Sequence, residues 1–218
     1  MFVDVGTSRR STTLPATTIV IALTCIALML WQVFKGSAAR SDLLLTWGLV
    51  PTRLWGLDSI FELAVLTPLT ALFLHADWLH LVGNLVFLWL FGLATERLLG
   101  SARFASIFIL CGLLANLLAA WRLAQSASPI VGSSGAVAAV IGAYIILFPT
   151  ARIGVMVPLG LYIQFIKVPA LALIAFWFGF QVLYAVVGSA LVNVAWGAHI
   201  AGFMLGCASA LFVRATGR

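Results

Sequence analysis

Long blocks of apolar residues alternate with short polar stretches along this chain. Six blocks can be traced, at approximately 15–34, 78–97, 102–121, 134–149, 169–189 and 194–213. A helix needs roughly 20 apolar residues to cross about 30 Å of hydrocarbon. Most of the blocks reach that length, so the pattern predicts six membrane-spanning helices. The stretch 152–168, RIGVMVPLGLYIQFIKV, is also apolar, but Gly154, Pro158 and Gly160 interrupt it. It reads as an inside connection hugging the membrane, not as a seventh span.

Composition agrees with the pattern. Apolar residues make up 63% of the 218 residues and charged residues 8%, against about 25% charged in a soluble domain. The expectation is an all-α, polytopic membrane protein, with residues 1–218 forming one domain. Arg9 and Arg10 precede the first block, and SAAR at 37–40 resembles a signal-peptide cleavage site. The block is longer than the usual h-region of about 7–15 residues, so it reads as a retained span. Cys25, Cys111 and Cys207 each fall inside an apolar run without CxxC spacing, which argues against a disulfide framework or a zinc site. No metal and no cofactor are expected.

The net charge of +6 reports topology before it reports a nucleic-acid partner. With the N-terminus inside, the inner side holds eight basic residues: Arg9, Arg10, Arg97, Arg103, Arg152, Lys167, Arg214 and Arg218. The outer side holds four: Lys35, Arg40, Arg53 and Arg122. Basic residues favour the cytoplasmic side, so both termini are expected to be cytoplasmic. Residues 1–14 form a short inner segment. Residues 35–77 form a long outside loop rich in Trp, Leu and Pro. The expected address is a bacterial inner membrane.

Polar groups inside spans are costly and mark functional candidates. The inventory is His80 and Asn84 in the second span, Asn116 in the third, Ser133 and Ser134 at the start of the fourth, Gln181 and Tyr184 in the fifth, and Asn193 and His199 in the sixth. Spans two, four and six run in the same direction. His80, Ser134 and His199 therefore all fall in the outer half of the membrane. His199 lies roughly 8 Å along its span at 1.5 Å per residue. His80 and Asn84, four residues apart, share one helix face.

The fourth span is short. From Ser134 to Phe148 it provides only about 22 Å of helix, less than the hydrocarbon thickness. The preceding SASPIVGS must enter the membrane as non-helical backbone, which is tolerated where protein or a water-filled cavity satisfies its polar groups. Ser134 then sits at the floor of a pit, at a helix N-terminus that offers orphan N–H groups and positive potential. A hydroxyl, a histidine on another span and a second His/Asn pair suit a nucleophile, a base and an oxyanion hole. Asn116 and Gln181 are expected to be structural glue, and His75 to cap the second span or meet headgroups. Ala198, Gly202 and Gly206, with Gly135, Ala139 and Ala143, form small-residue stripes that allow close helix packing.

GSSG at 132–135 resembles the GxSG motif of the rhomboid intramembrane serine proteases. HADWLHLVGN at 75–84, ATERLLGSARF at 94–104 and AHIAG at 198–202 are similar to further signatures of that family, in family order. The resemblance implies a six-helix bundle that cleaves peptide bonds in transmembrane protein substrates within the lipid bilayer. It assigns Ser134 as nucleophile and His199 as base, with His80, Asn84 and the Ser134 N–H binding the oxyanion. Gly132, Gly135 and Gly202 are implied to permit close backbone approach near the site. Where the family often has an aromatic four residues after the serine, this sequence has Ala138, so another group must orient His199. Where many members carry Trp-Arg in the first outside loop, this one has Leu66-Thr67. No carboxylate lies near His199 in sequence, and Asp77 sits too near the interface to serve, so the chemistry reads as a Ser–His dyad. Two other classes fit less well. A rhomboid-like protein that only escorts membrane clients would be marked by loss of the serine or base. A small transporter or channel would need a continuous polar path, which the apolar inner halves of the spans lack.

Overall fold

The computed structural model describes residues 3–4, 14–56, 63–159, 162–187 and 196–217. Expectations that fall on Arg9, Arg10, Gly160, Asn193, Arg218 and the Tyr184 side chain lie outside the described residues. Among the described residues, seven longer helices carry the architecture: α1 Ala16–Phe34, α2 Ser37–Trp47, α3 Trp78–Leu99, α4 Ser101–Arg122, α5 Ser134–Leu147, α6 Ala170–Val187 and α7 Trp196–Ala215. Among the described residues, α1, α3, α4 and α7 are long and apolar enough to cross a membrane, and α5 and α6 are the further apolar helices. Large apolar side chains such as Leu23, Leu110, Phe176 and Phe212 point outward. In a bundle immersed in lipid this is the expected outer face.

The segment 152–168, expected as a connection, has regular structure of its own. It folds as an antiparallel hairpin of Arg152–Leu159 and Tyr162–Pro169, in register from Arg152↔Pro169 to Leu159↔Tyr162. Its β-branched residues, Ile153, Val155, Val157, Ile163, Ile166 and Val168, favour extended backbone, and Gly154 and Pro158 disfavour helix. Val3–Asp4 adds a third strand beside Ile153 and Arg152. The segment remains a connection between α5 and α6 rather than a span.

Helix α5 is the axis of the bundle. All ten residues from Gly135 to Tyr144 are buried, as expected of a helix apolar on every face. Its 14 residues give about 21 Å, close to the short span read from the sequence. The α5–α7 contact is backbone against backbone. A Cβ at Gly202 would overlap the Gly135 carbonyl, one at Gly206 the Ala139 carbonyl, and one at Gly142 the Phe203 carbonyl. Gly135 also faces α4, where a Cβ would sit 3.1 Å from that of Ala115. The small-residue stripes thus lock α5 to α7 at van der Waals distance.

One buried carboxylate closes the opposite end of the bundle from Ser134. Glu96 is 2% exposed and lies on the last turn of α3. It accepts from the N–H groups of Thr17 and Thr18 at 2.8 and 2.7 Å, from the Thr18 hydroxyl at 2.6 Å and from the Ser101 hydroxyl at 2.7 Å. Pro15, at the start of α1, supplies no side-chain cap. Glu96 therefore caps α1 from another helix, where a carboxylate meets orphan donors and the positive end of the dipole. Gly100 turns α3 into α4 at φ 81°, its N–H donating to the Glu96 carbonyl at 2.7 Å. Glu96→Ala is expected to cost about 1.5–3 kcal/mol, the scale of hydrogen bonds to a charged group, with Glu96→Gln recovering part. Thermal unfolding in detergent checks this. Equal midpoints for wild type and Glu96→Ala would remove the cap from the account.

Candidate active site

The wall of the site is the long loop before α3. Leu49 and Ile130 exchange backbone hydrogen bonds at 3.0 and 2.8 Å, and the Gly132 N–H donates to the Ala71 carbonyl at 2.9 Å. The non-helical segment before α5 is thereby satisfied by protein, as buried backbone requires. Asn116 on α4 donates to the Pro68 carbonyl at 2.9 Å, and the Trp55 indole donates to the Ala120 carbonyl at 3.0 Å. Asn116 is thus the structural tie that the sequence suggests. The loop is held without Trp-Arg: Thr67 is buried and donates to the Ala64 carbonyl at 2.6 Å, while Leu66 faces outward.

Helix α3 begins at this wall. The Asp77 carboxylate accepts from the His80 N–H at 2.7 Å and caps the helix. Asp77 is thus engaged in the cap of α3. His80 follows on the first turn and Asn84 one turn later, both facing Gly132. A Cβ on Gly132 would lie 2.5 Å from His80 Cε1, 2.7 Å from its Nε2 and 3.6 Å from Asn84 Nδ2. Gly132 also has φ 115°, a conformation that favours glycine. Both reasons exclude a larger residue. Asn84 is buried, and its Nδ2 has no hydrogen-bond partner among the described residues. Its N–H groups are donors aimed into the site.

Ser134 opens α5, and His199 is the fourth residue of α7. The contact between the two helices brings His199 Nε2 to 2.7 Å from Ser134 Oγ. On the other side of the ring, His199 Nδ1 lies 2.7 Å from Gln181 Oε1 on α6. The Trp196 ring meets the imidazole edge-on, with centroids 5.7 Å apart. Every residue singled out for the site, His80, Asn84, Gly132, Ser134, Gly135, His199 and Gly202, gathers at this end of the bundle.

Two features differ from expectation. Gln181, read from the sequence as general glue, is in direct contact with His199. Its signal was present: a buried amide in a span is costly unless a specific partner takes it. His75 neither caps α3 nor reaches the surface. It is fully buried, with Nε2 3.4 Å from Ser133 Oγ and its ring 5.3 Å from that of His80. Burial, reinforced by His80 beside it, holds its imidazole down at about 4. The two adjacent serines thus face two different histidines.

Residues 63–216 match the family model described as Rhomboid domain. The chain belongs to the rhomboid family. Rhomboid protein 1, mitochondrial, from Saccharomyces cerevisiae is 34% identical over 101 residues, covering 43% of this chain and 29% of that protein. The match takes in less than a third of the relative's length, and its name does not support the bacterial inner membrane expected from the sequence. Family and apolar helices together define an integral, multi-pass membrane protein. They support an intramembrane-protease type of function in general terms.

Proposed function

We propose that this chain is an intramembrane serine endopeptidase working through a Ser134–His199 dyad. The observation that carries the proposal is the 2.7 Å contact between His199 Nε2 and Ser134 Oγ, made across two helices. Ser134 Oγ attacks the scissile carbonyl carbon as His199 Nε2 takes its proton. The oxyanion is met by donors from His80 and Asn84 and by the Ser134 N–H, which as a first-turn group has no intrahelical acceptor. His199 then passes its proton to the leaving amine, releasing one product and leaving an acyl ester on Ser134. A water, deprotonated by His199, hydrolyses that ester and restores the serine.

Substrates are transmembrane proteins. A helical segment shields its carbonyls with its own hydrogen bonds, so the scissile stretch must unwind beside Ser134. The balance of basic residues favours cytoplasmic termini, and in that orientation the site opens to the outer side. His80, Ser134 and His199 lie at one end of α3, α5 and α7, and Glu96 with the start of α1 at the other, so in this orientation the first end is the outer one. In support, Arg214 on the last turn of α7 donates to the Ile146 carbonyl at the end of α5, 2.9 Å away, so the two helices run in parallel.

The test is labelling by a serine-directed fluorophosphonate in detergent, together with cleavage of a model transmembrane substrate mapped by mass spectrometry. Wild type is expected to be labelled and to cut near the outer boundary. Protein that neither labels nor cuts overturns the protease reading, and cuts at the cytoplasmic boundary overturn the orientation.

A further inference from the structure

The base in the proposed dyad needs a defined tautomer. A neutral imidazole carries one hydrogen, and which nitrogen holds it is set by the partner of the other nitrogen. Nε2 must keep a lone pair toward Ser134, so Nδ1 must carry the hydrogen and needs an acceptor. Ala138, one turn along α5 from Ser134, is a buried methyl group with no surface for stacking an imidazole. Asp77, the N-cap of α3, and Glu96, on its last turn, are engaged in capping α3 and α1. The group at Nδ1 is the Gln181 amide at 2.7 Å, itself 7% exposed.

We infer that Gln181 is the positioning residue that fixes the tautomer and orientation of His199, an inference that rests on the protease reading for its catalytic consequence. The amide oxygen accepts from Nδ1–H, which leaves the Nε2 lone pair facing the Ser134 hydroxyl. A neutral amide does this without placing a second buried charge in an apolar bundle, where an unpaired carboxylate is costly. The same bond joins α6 to α7 at the level of the reaction. Trp196 meets the ring edge-on, limiting rotation but offering no acceptor at Nδ1. Gln181 touches neither the serine nor the path of the transferred proton, so it acts through His199 alone.

The chain has three histidines, His75, His80 and His199, so protein labelled with 15N only in histidine gives an assignable imidazole spectrum, with His199→Ala identifying the third signal. In wild type the His199 ring is expected to carry its hydrogen on Nδ1. In Gln181→Met, which keeps volume and loses the acceptor, the hydrogen is expected to move to Nε2 or to be shared. Turnover of a transmembrane substrate should fall about 10²-fold in kcat, the lower end of a positioned base's contribution, with KM within a factor of about two. An unchanged His199 tautomer in Gln181→Met overturns the inference whether or not the protein is a protease. Equal kcat in folded wild type and Gln181→Met overturns it as well. Failure of wild type to react with fluorophosphonate would instead strike the dyad reading, because the tautomer measurement does not depend on activity.

Discussion

Ser134→Ala is expected to lower cleavage of a transmembrane substrate by about 10⁴-fold or more, to the background rate, as loss of a nucleophile does elsewhere. Ser133→Ala is expected to remain within a few-fold of wild type. The two serines are neighbours in sequence, but only one of them reaches His199. Ser134 Oγ lies 2.7 Å from His199 Nε2, whereas Ser133 Oγ meets the buried His75 at 3.4 Å. The Ser133 contact ties the turn before α5 to the stretch leading into α3. Losing it costs stability on the scale of one neutral hydrogen bond, about 0.5–1.5 kcal/mol. The measurement is steady-state turnover of both variants at matched folded fraction. Activity surviving in Ser134→Ala and lost in Ser133→Ala would move the nucleophile to Ser133 and the base to His75.

The paired variant His80→Ala/Asn84→Ala carries the second largest effect. Each preorganised donor to an oxyanion is worth about 10²–10³ in rate. The two side chains stand over Gly132, two residues before Ser134, with Asn84 Nδ2 3.6 Å from where a Gly132 Cβ would be. A reduction of kcat by about 10³-fold is expected with Ser134 still in place, because the Ser134 N–H remains as the last donor. Slow labelling by fluorophosphonate should persist, since the dyad itself is intact. Gly132→Ala should lose activity by a different route, through a Cβ that meets the His80 ring at 2.5 Å. Wild-type turnover in the folded double variant would take His80 and Asn84 out of the oxyanion hole.

The legible part of this chain was what depends on spacing along one helix or on parity between helices. Block length marked the helices. Direction of travel brought His80, Ser134 and His199 to one end. The shortness of α5 required the extended backbone before it. Small-residue stripes pointed to the α5–α7 contact, which Gly202 and Gly206 make through backbone atoms. What escaped depends on pairing between distant elements. Gln181 stands on a helix that runs opposite to α7, and no interval within α6 shows which ring it faces. Glu96 carried no signal of its own in the sequence, because its partners Thr17 and Thr18 lie 79 and 78 residues away. The hairpin at 152–168 was hidden because its apolar residues follow neither a clean alternation nor a helical period, and Gly154 and Pro158 read equally as loop.

The separation between Thr18 and Glu96 also sets a clock on biosynthesis. Synthesis adds about 5–20 residues per second, so the 78 residues between them take about 4–16 s to follow. During that interval α1 is already apolar enough to leave the insertion machinery, but the carboxylate that seals its first turn does not yet exist. The first helix must wait beside the nascent chain with its leading amides served by headgroups or water. It docks only when α3 arrives with Glu96 and α4 begins at Ser101. A ribosome stalled before residue 96 would therefore hold an inserted but undocked first helix.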